Sequence, residues 1–113
     1  MIQVEEFITD EDVSPFRRWF DSLDEQAAAW VTISIDRLGE GNISNAKALS
    51  EGVSELRINR GPGYRVYFGW DGKLLVILLG GGTKRRQQSD IQSALRHWRS
   101  YKARKAAGRI GRK

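Results

Sequence analysis

Gly52-Val53-Ser54-Glu55-Leu56-Arg57-Ile58-Asn59, then Arg60-Gly61-Pro62-Gly63-Tyr64-Arg65-Val66-Tyr67-Phe68-Gly69-Trp70, then Asp71-Gly72 and Lys73 to Leu79, closing on Gly80-Gly81-Gly82-Thr83-Lys84, is the stretch that decides the fold. It reads as three consecutive antiparallel strands. Asp71-Gly72 between two apolar runs predicts a two-residue hairpin turn, because both central positions of a type I′ turn need φ > 0. Asn59 to Gly63 predicts a longer turn built on Gly and Pro. Side chains alternate along a strand. Leu56 and Ile58 therefore share one face with Tyr64, Val66, Phe68 and Trp70. Glu55, Arg57, Arg65 and Tyr67 share the other. A two-residue turn pairs Trp70 with Lys73 and sets Arg65 opposite Leu78 and Tyr67 opposite Val76. The third strand, Leu74 to Leu79, is apolar on both faces, so its second face needs a cover as well. Lys84 follows on a glycine-rich exit expected to be flexible.

Working outward, Ile2 to Ile8 reads as a first strand, with Ile2, Val4 and Phe7 inward. Ser14-Pro15 starts a helix, with serine as N-cap and proline at the first helical position. Phe16, Trp19, Phe20 and Leu23 then recur at helical spacing. Asp24 caps a second helix with the apolar stripe Ala28, Val31, Ile35 and Leu38, stopped by Gly39-Glu40-Gly41. The two helices form a hairpin packed on the sheet. Asn42 to Glu51 reads as an irregular polar link, in which Lys47 either faces solvent or helps to hold a phosphate. Ser89 or Asp90 starts a last helix. Its face Ile91, Ala94, Leu95, Trp98 and Tyr101 either covers the second face of the third strand or docks on a partner. Residues 102–113 read as a basic tail.

The chain has 113 residues, enough for one domain with its own core, and a net charge of +5. That charge is unevenly spread. Residues 1–51 hold 4 basic and 11 acidic side chains, net −7, and residues 52–113 hold 15 basic and 3 acidic, net +12. A basic half of this kind attracts polyanions. The absence of Cys excludes disulfides and thiolate metal sites, and a single His excludes an all-His metal site. Neither a membrane span nor a signal-peptide pattern is present, so a soluble cytoplasmic protein with no membrane partner is expected. The run Gly80 to Lys84 lacks the G-x-x-x-x-G-K-[ST] spacing of a nucleotide-binding P-loop. No cofactor or metal is expected.

The element order, together with Gly52-Val53-Ser54-Glu55-Leu56-Arg57, Gly61-Pro62-Gly63-Tyr64-Arg65-Val66-Tyr67-Phe68, Leu78-Leu79-Gly80-Gly81-Gly82-Thr83-Lys84 and Gln88-Ser89-Asp90-Ile91, resembles the RelE/ParE superfamily of toxins from type II toxin–antitoxin modules. Within it these words look like the addiction-module killer branch (HigB-like, phage-derived Gp49-like). The resemblance covers residues 1–101 and implies an α+β, RelE-like β-α-α-β-β-β-α fold: an antiparallel sheet packed against an N-terminal helical hairpin, with a C-terminal helix. It also implies a ribosome-dependent endonuclease that cuts translated mRNA. A cognate antitoxin, commonly a helix-turn-helix protein that also binds operator DNA, would hold it inactive. ParE relatives poison DNA gyrase instead, and a remnant that only binds antitoxin is a third possibility, because fold does not set the target.

Metal-independent RNA cleavage uses the ribose 2′-OH as nucleophile. It needs a base, cations at the phosphate and an acid for the leaving 5′-oxygen. Under the resemblance, Arg57 and Arg65 are the cations, since the arginine fork matches phosphate oxygens; the competing reading is an ion pair with Glu55. Lys84 is a phosphate clamp or proton donor, and Glu55 a candidate base. Tyr67 is a platform for a base of the message, and Lys47, Arg85 and Arg86 are further RNA contacts. The histidine or tyrosine that several relatives carry near the C-terminus has no counterpart here. The lone His97 sits at the flank of the last helix's apolar stripe.

Overall fold

The computed structural model describes residues 1–108. Nine elements follow in order: β1 (Gln3–Glu6), α1 (Pro15–Asp21), α2 (Glu25–Gly39), β2 (Ala46–Ser50), β3 (Val53–Ile58), β4 (Tyr64–Trp70), β5 (Leu75–Thr83), a 3₁₀ turn (Lys84–Arg86) and α3 (Gln87–Ala106). The five strands form one sheet in the order β1-β5-β4-β3-β2. β1 runs parallel to β5, and the other neighbours are antiparallel. The RelE-like α+β architecture expected from the sequence is therefore present, with one strand more than expected.

The helices start where their caps dictate. The Ser14 hydroxyl accepts from the Arg17 amide at 2.9 Å, and the Asp24 carboxylate accepts from the Ala27 amide at 2.8 Å. α1 and α2 cover one face of the sheet. Phe16, Ala27, Val31 and Leu38 pack there on Leu56, Ile58, Tyr64, Val66, Phe68, Val76 and Leu78. α3 covers the other face, with Ala94, Leu95, Trp98 and Tyr101 on Val53, Tyr67, Ile77 and Leu79. The apolar face of α3 is thus spent inside the molecule. Phe7 joins this second cluster rather than the one beneath α1 and α2.

Four local expectations are corrected. Residues 46–50 are not an irregular link but the edge strand β2, paired with β3. The β4–β5 connection is longer than two residues. Trp70 pairs with Val76, and the Asp71 amide donates to the Leu75 carbonyl at 2.9 Å. The glycine run is not a flexible exit either, since β5 continues through it to Thr83. Finally, α3 begins at Gln87 and runs through residues 102–106. Residues 109–113 of the expected basic tail lie outside the described residues.

The β4–β5 register changes once more within the sheet. Phe68 pairs with Leu78 but Tyr67 pairs with Gly80, which leaves Leu79 as an extra residue on β5. Such a bulge resets the alternation of side chains. Beyond it Gly81 faces α1 and Gly82 faces α3. A Cβ built on Gly81 would overlap the Trp19 indole, and one built on Gly82 would overlap the Asp90 carboxyl. These glycines let helices approach the sheet on both sides. Gly81→Ala should therefore lower stability by about 1–3 kcal/mol through overpacking. Urea unfolding measures this, and an unchanged midpoint would mean that the indole moves aside freely.

Candidate functional site

The sheet register assembles the polar residues of three strands on the face covered by α3. Lys47 lies opposite Glu55, and Glu55 lies opposite Tyr67. One step along, Arg57 lies opposite Arg65, and Arg65 lies opposite Gly82. Two arginines directly across from each other repel. Glu55 offsets this. Its Oε2 accepts from Arg57 Nε at 2.9 Å, and its Oε1 lies 3.7 Å from Arg65 Nε. The first turn of α3 closes the group from above, where Gln87 Nε2 donates to Glu55 Oε1 at 3.1 Å.

Exposure sorts these residues into two kinds. Glu55 is 0% exposed and Arg65 7%, whereas 39% of the Arg57 side chain is open. Lys47, Lys84, Arg85 and Arg86 are exposed. Lys84 is anchored rather than loose: its amide donates to the Gly63 carbonyl at 2.9 Å, beside the β3–β4 turn. The result is a sealed Glu55–Arg65 pair beneath an open rim of Arg57, Lys47 and the Lys84–Arg86 turn.

Tyr67 is corrected as a stacking platform. It is 0% exposed under α3, so neither face of its ring is open to a base. Burial pushes its phenol above the usual tyrosine range, and the charges of Glu55 and Asp90 add to the effect against the opposing Arg65. Its hydroxyl and Arg65 Nε are both buried without a hydrogen-bond partner among the described residues. Glu55, expected as a base on an open face, is enclosed by Arg57, Arg65 and Gln87, so its carboxylate reaches no solvent. Its geometry is that of a holder for the arginines.

His97 lies elsewhere. Its ring sits 5.2 Å from that of Phe7, and burial lowers its pKa, with Arg96 and Arg104 adding to the effect. Ten residues separate it from Gln87, which at 1.5 Å per residue is about 15 Å along the helix. Sequence reasoning assigned no site role to Gln87 or Asp90. The available signal was their i, i+3 spacing at the start of α3, which puts both on one helix face. Among the described residues no group of three or more His, Cys, Asp or Glu side chains is arranged to hold a metal.

A five-stranded sheet with a helical hairpin on one side, a long helix on the other and a cationic rim at that helix's start defines a protein of the RelE-like toxin fold. The family described as Phage derived protein Gp49-like matches residues 18–99. An uncharacterised protein of Haemophilus influenzae is 42% identical over 80 residues, spanning 70% of this chain and 81% of that protein. The chain belongs to the phage-derived Gp49-like family, a RelE/ParE-like family of addiction-module killers. Membership carries with it, in general terms, an antitoxin partner. No helix among the described residues is long and apolar enough to cross a membrane.

The two kinds of residue should respond differently to truncation. Glu55→Ala leaves Arg65 buried without its counter-charge and should cost about 3–5 kcal/mol. Arg57→Ala, on the open side, should cost no more than about 1 kcal/mol. Chemical denaturation of both variants checks this; equal losses would refute the division into sealed pair and open rim.

Proposed function

We propose that this protein is the toxin of a type II toxin–antitoxin module and acts in the cytoplasm as a ribosome-dependent, metal-independent endonuclease on translated mRNA. The observation that carries the reading is the arginine pair held by Glu55 on one sheet face and rimmed by Lys47, Lys84, Arg85 and Arg86. In this reading Arg57 and Lys84 bind the scissile phosphate and stabilise charge as it develops there. Arg65 supplies fixed positive charge from below, and Glu55 positions both arginines. Lys47, Arg85 and Arg86 hold flanking phosphates of the message. The partners are the ribosome with its mRNA and a cognate antitoxin, through which the complex reaches operator DNA.

A second reading, inhibition of DNA gyrase by binding alone, is favoured by one observation: Glu55 and Tyr67 are closed off from any substrate. Primer extension on cellular mRNA after brief induction without antitoxin separates the two. The endonuclease reading expects discrete cuts within translated regions for wild type and their loss in Arg57→Ala, which keeps the fold. Growth arrest with intact mRNA would overturn it in favour of the gyrase-type reading.

A further inference from the structure

Asp90 has no role in the reaction as described so far, yet the structure makes room for it at the sheet surface. Its carboxyl lies against Gly82, where a Cβ would overlap its Oδ2. Gly82 is the strand partner of Arg65, so the carboxyl stands over the point of the sheet where the arginine pair lies. The β5 bulge turns Gly82, rather than Gly81, toward α3 at this position. On α3, Asp90 follows Gln87 by three residues, so one helix face carries both the group that holds Glu55 and this second acid.

We propose that Asp90 is the proton donor to the leaving 5′-oxygen of the RNA; the assignment rests on the endonuclease reading above. The two carboxyls of the site differ in access. Glu55 is sealed, whereas Asp90 is only partly buried, at the rim. The groups that interact with Asp90 are Arg86 from the turn before the helix and Tyr67 from β4. β5 contributes glycine alone. Burial raises the Asp90 pKa, with Arg86 opposing, which keeps a proton on the group to higher pH. Two acids in environments of different character are a common basis for dividing roles between them.

The step balances as follows. The 2′-oxygen forms a bond to phosphorus and its proton passes to solvent water. The bond from phosphorus to the 5′-oxygen breaks, and that oxygen takes the Asp90 proton. The products are a 2′,3′-cyclic phosphate and a 5′-hydroxyl. Asp90 recovers a proton from solvent.

The test uses full-length protein on programmed ribosomes, with a message whose cleavage position is first mapped with wild type. Absence of any wild-type cut would sink the endonuclease reading itself and Asp90's role with it. Given cutting, Asp90→Asn should slow cleavage of ordinary RNA by about 100-fold or more, the scale of general acid catalysis. On RNA with sulfur replacing the 5′-bridging oxygen, the variant should cut nearly as fast as wild type, because a thiolate leaves without a proton. Equal slowing on both substrates would show a structural role and overturn the proposal, as would no slowing on either. If Asp90→Asn does not fold, wild type alone decides. Its ratio of ordinary to sulfur-bridged cleavage rates should fall as pH rises and the acid loses its proton, and a ratio independent of pH would overturn the proposal.

Discussion

The sealed carboxylate of Glu55 is the constraint on which the rest of this structure depends. A charge taken out of water must be paired and hydrogen-bonded or it destabilises the fold. Here the partners come from three elements: Arg57 on its own strand, Arg65 on β4 and Gln87 on α3. The requirement ties together the β3–β4 register and the position at which α3 crosses the sheet. It also lets two arginines occupy directly opposed positions, which like charges otherwise avoid. Positive charge is concentrated at one spot because a negative charge lies beneath it.

Charge is unevenly spread over the two helical layers. Asp21, Glu25 and Asp36 are exposed on α1 and α2, with Asp24 and Glu40 at the ends of α2. Arg96, Arg99, Lys102 and Lys105 are exposed on α3. The basic half of the sequence thus places an excess of positive charge on α3, whereas α1 and α2 carry both signs, with Arg17, Arg18 and Arg37 exposed beside the acids. A polyanion meeting this molecule is drawn to the α3 layer, so encounter is oriented before any specific contact forms.

Much of this was legible in the sequence, for identifiable reasons. The alternation of Leu56, Ile58, Tyr64, Val66 and Phe68 fixed which face meets α1 and α2, and it also put Glu55, Arg57 and Arg65 together on the other face. What alternation cannot convey is whether that second face is wet. Arg65 and Tyr67 look like surface residues until α3 lies over them. The register of β5 was out of reach too, because it depends on an extended turn and a bulge at Leu79, and neither has a periodic signature. β2 was missed because Ala46-Lys47-Ala48-Leu49-Ser50 is an edge strand whose pairing comes from its neighbour rather than from its own composition. Asp90 looked like a helix start, and its place against Gly82 follows only once the bulge is known.

The helix that completes the site follows every strand in chain order. Its last turns are tied down as well: Tyr101 donates to Asp71 at 2.5 Å, Lys105 pairs with Asp71, and Arg104 pairs with Asp10 at 3.2 Å. During synthesis the sheet leaves the ribosome before α3 does. Until α3 follows, Tyr67, Ile77 and Leu79 lie bare, Glu55 lacks Gln87, and the rim has no Asp90. The nascent chain therefore carries the arginines without the face that organises them, and the finished arrangement forms only after its last helix has emerged.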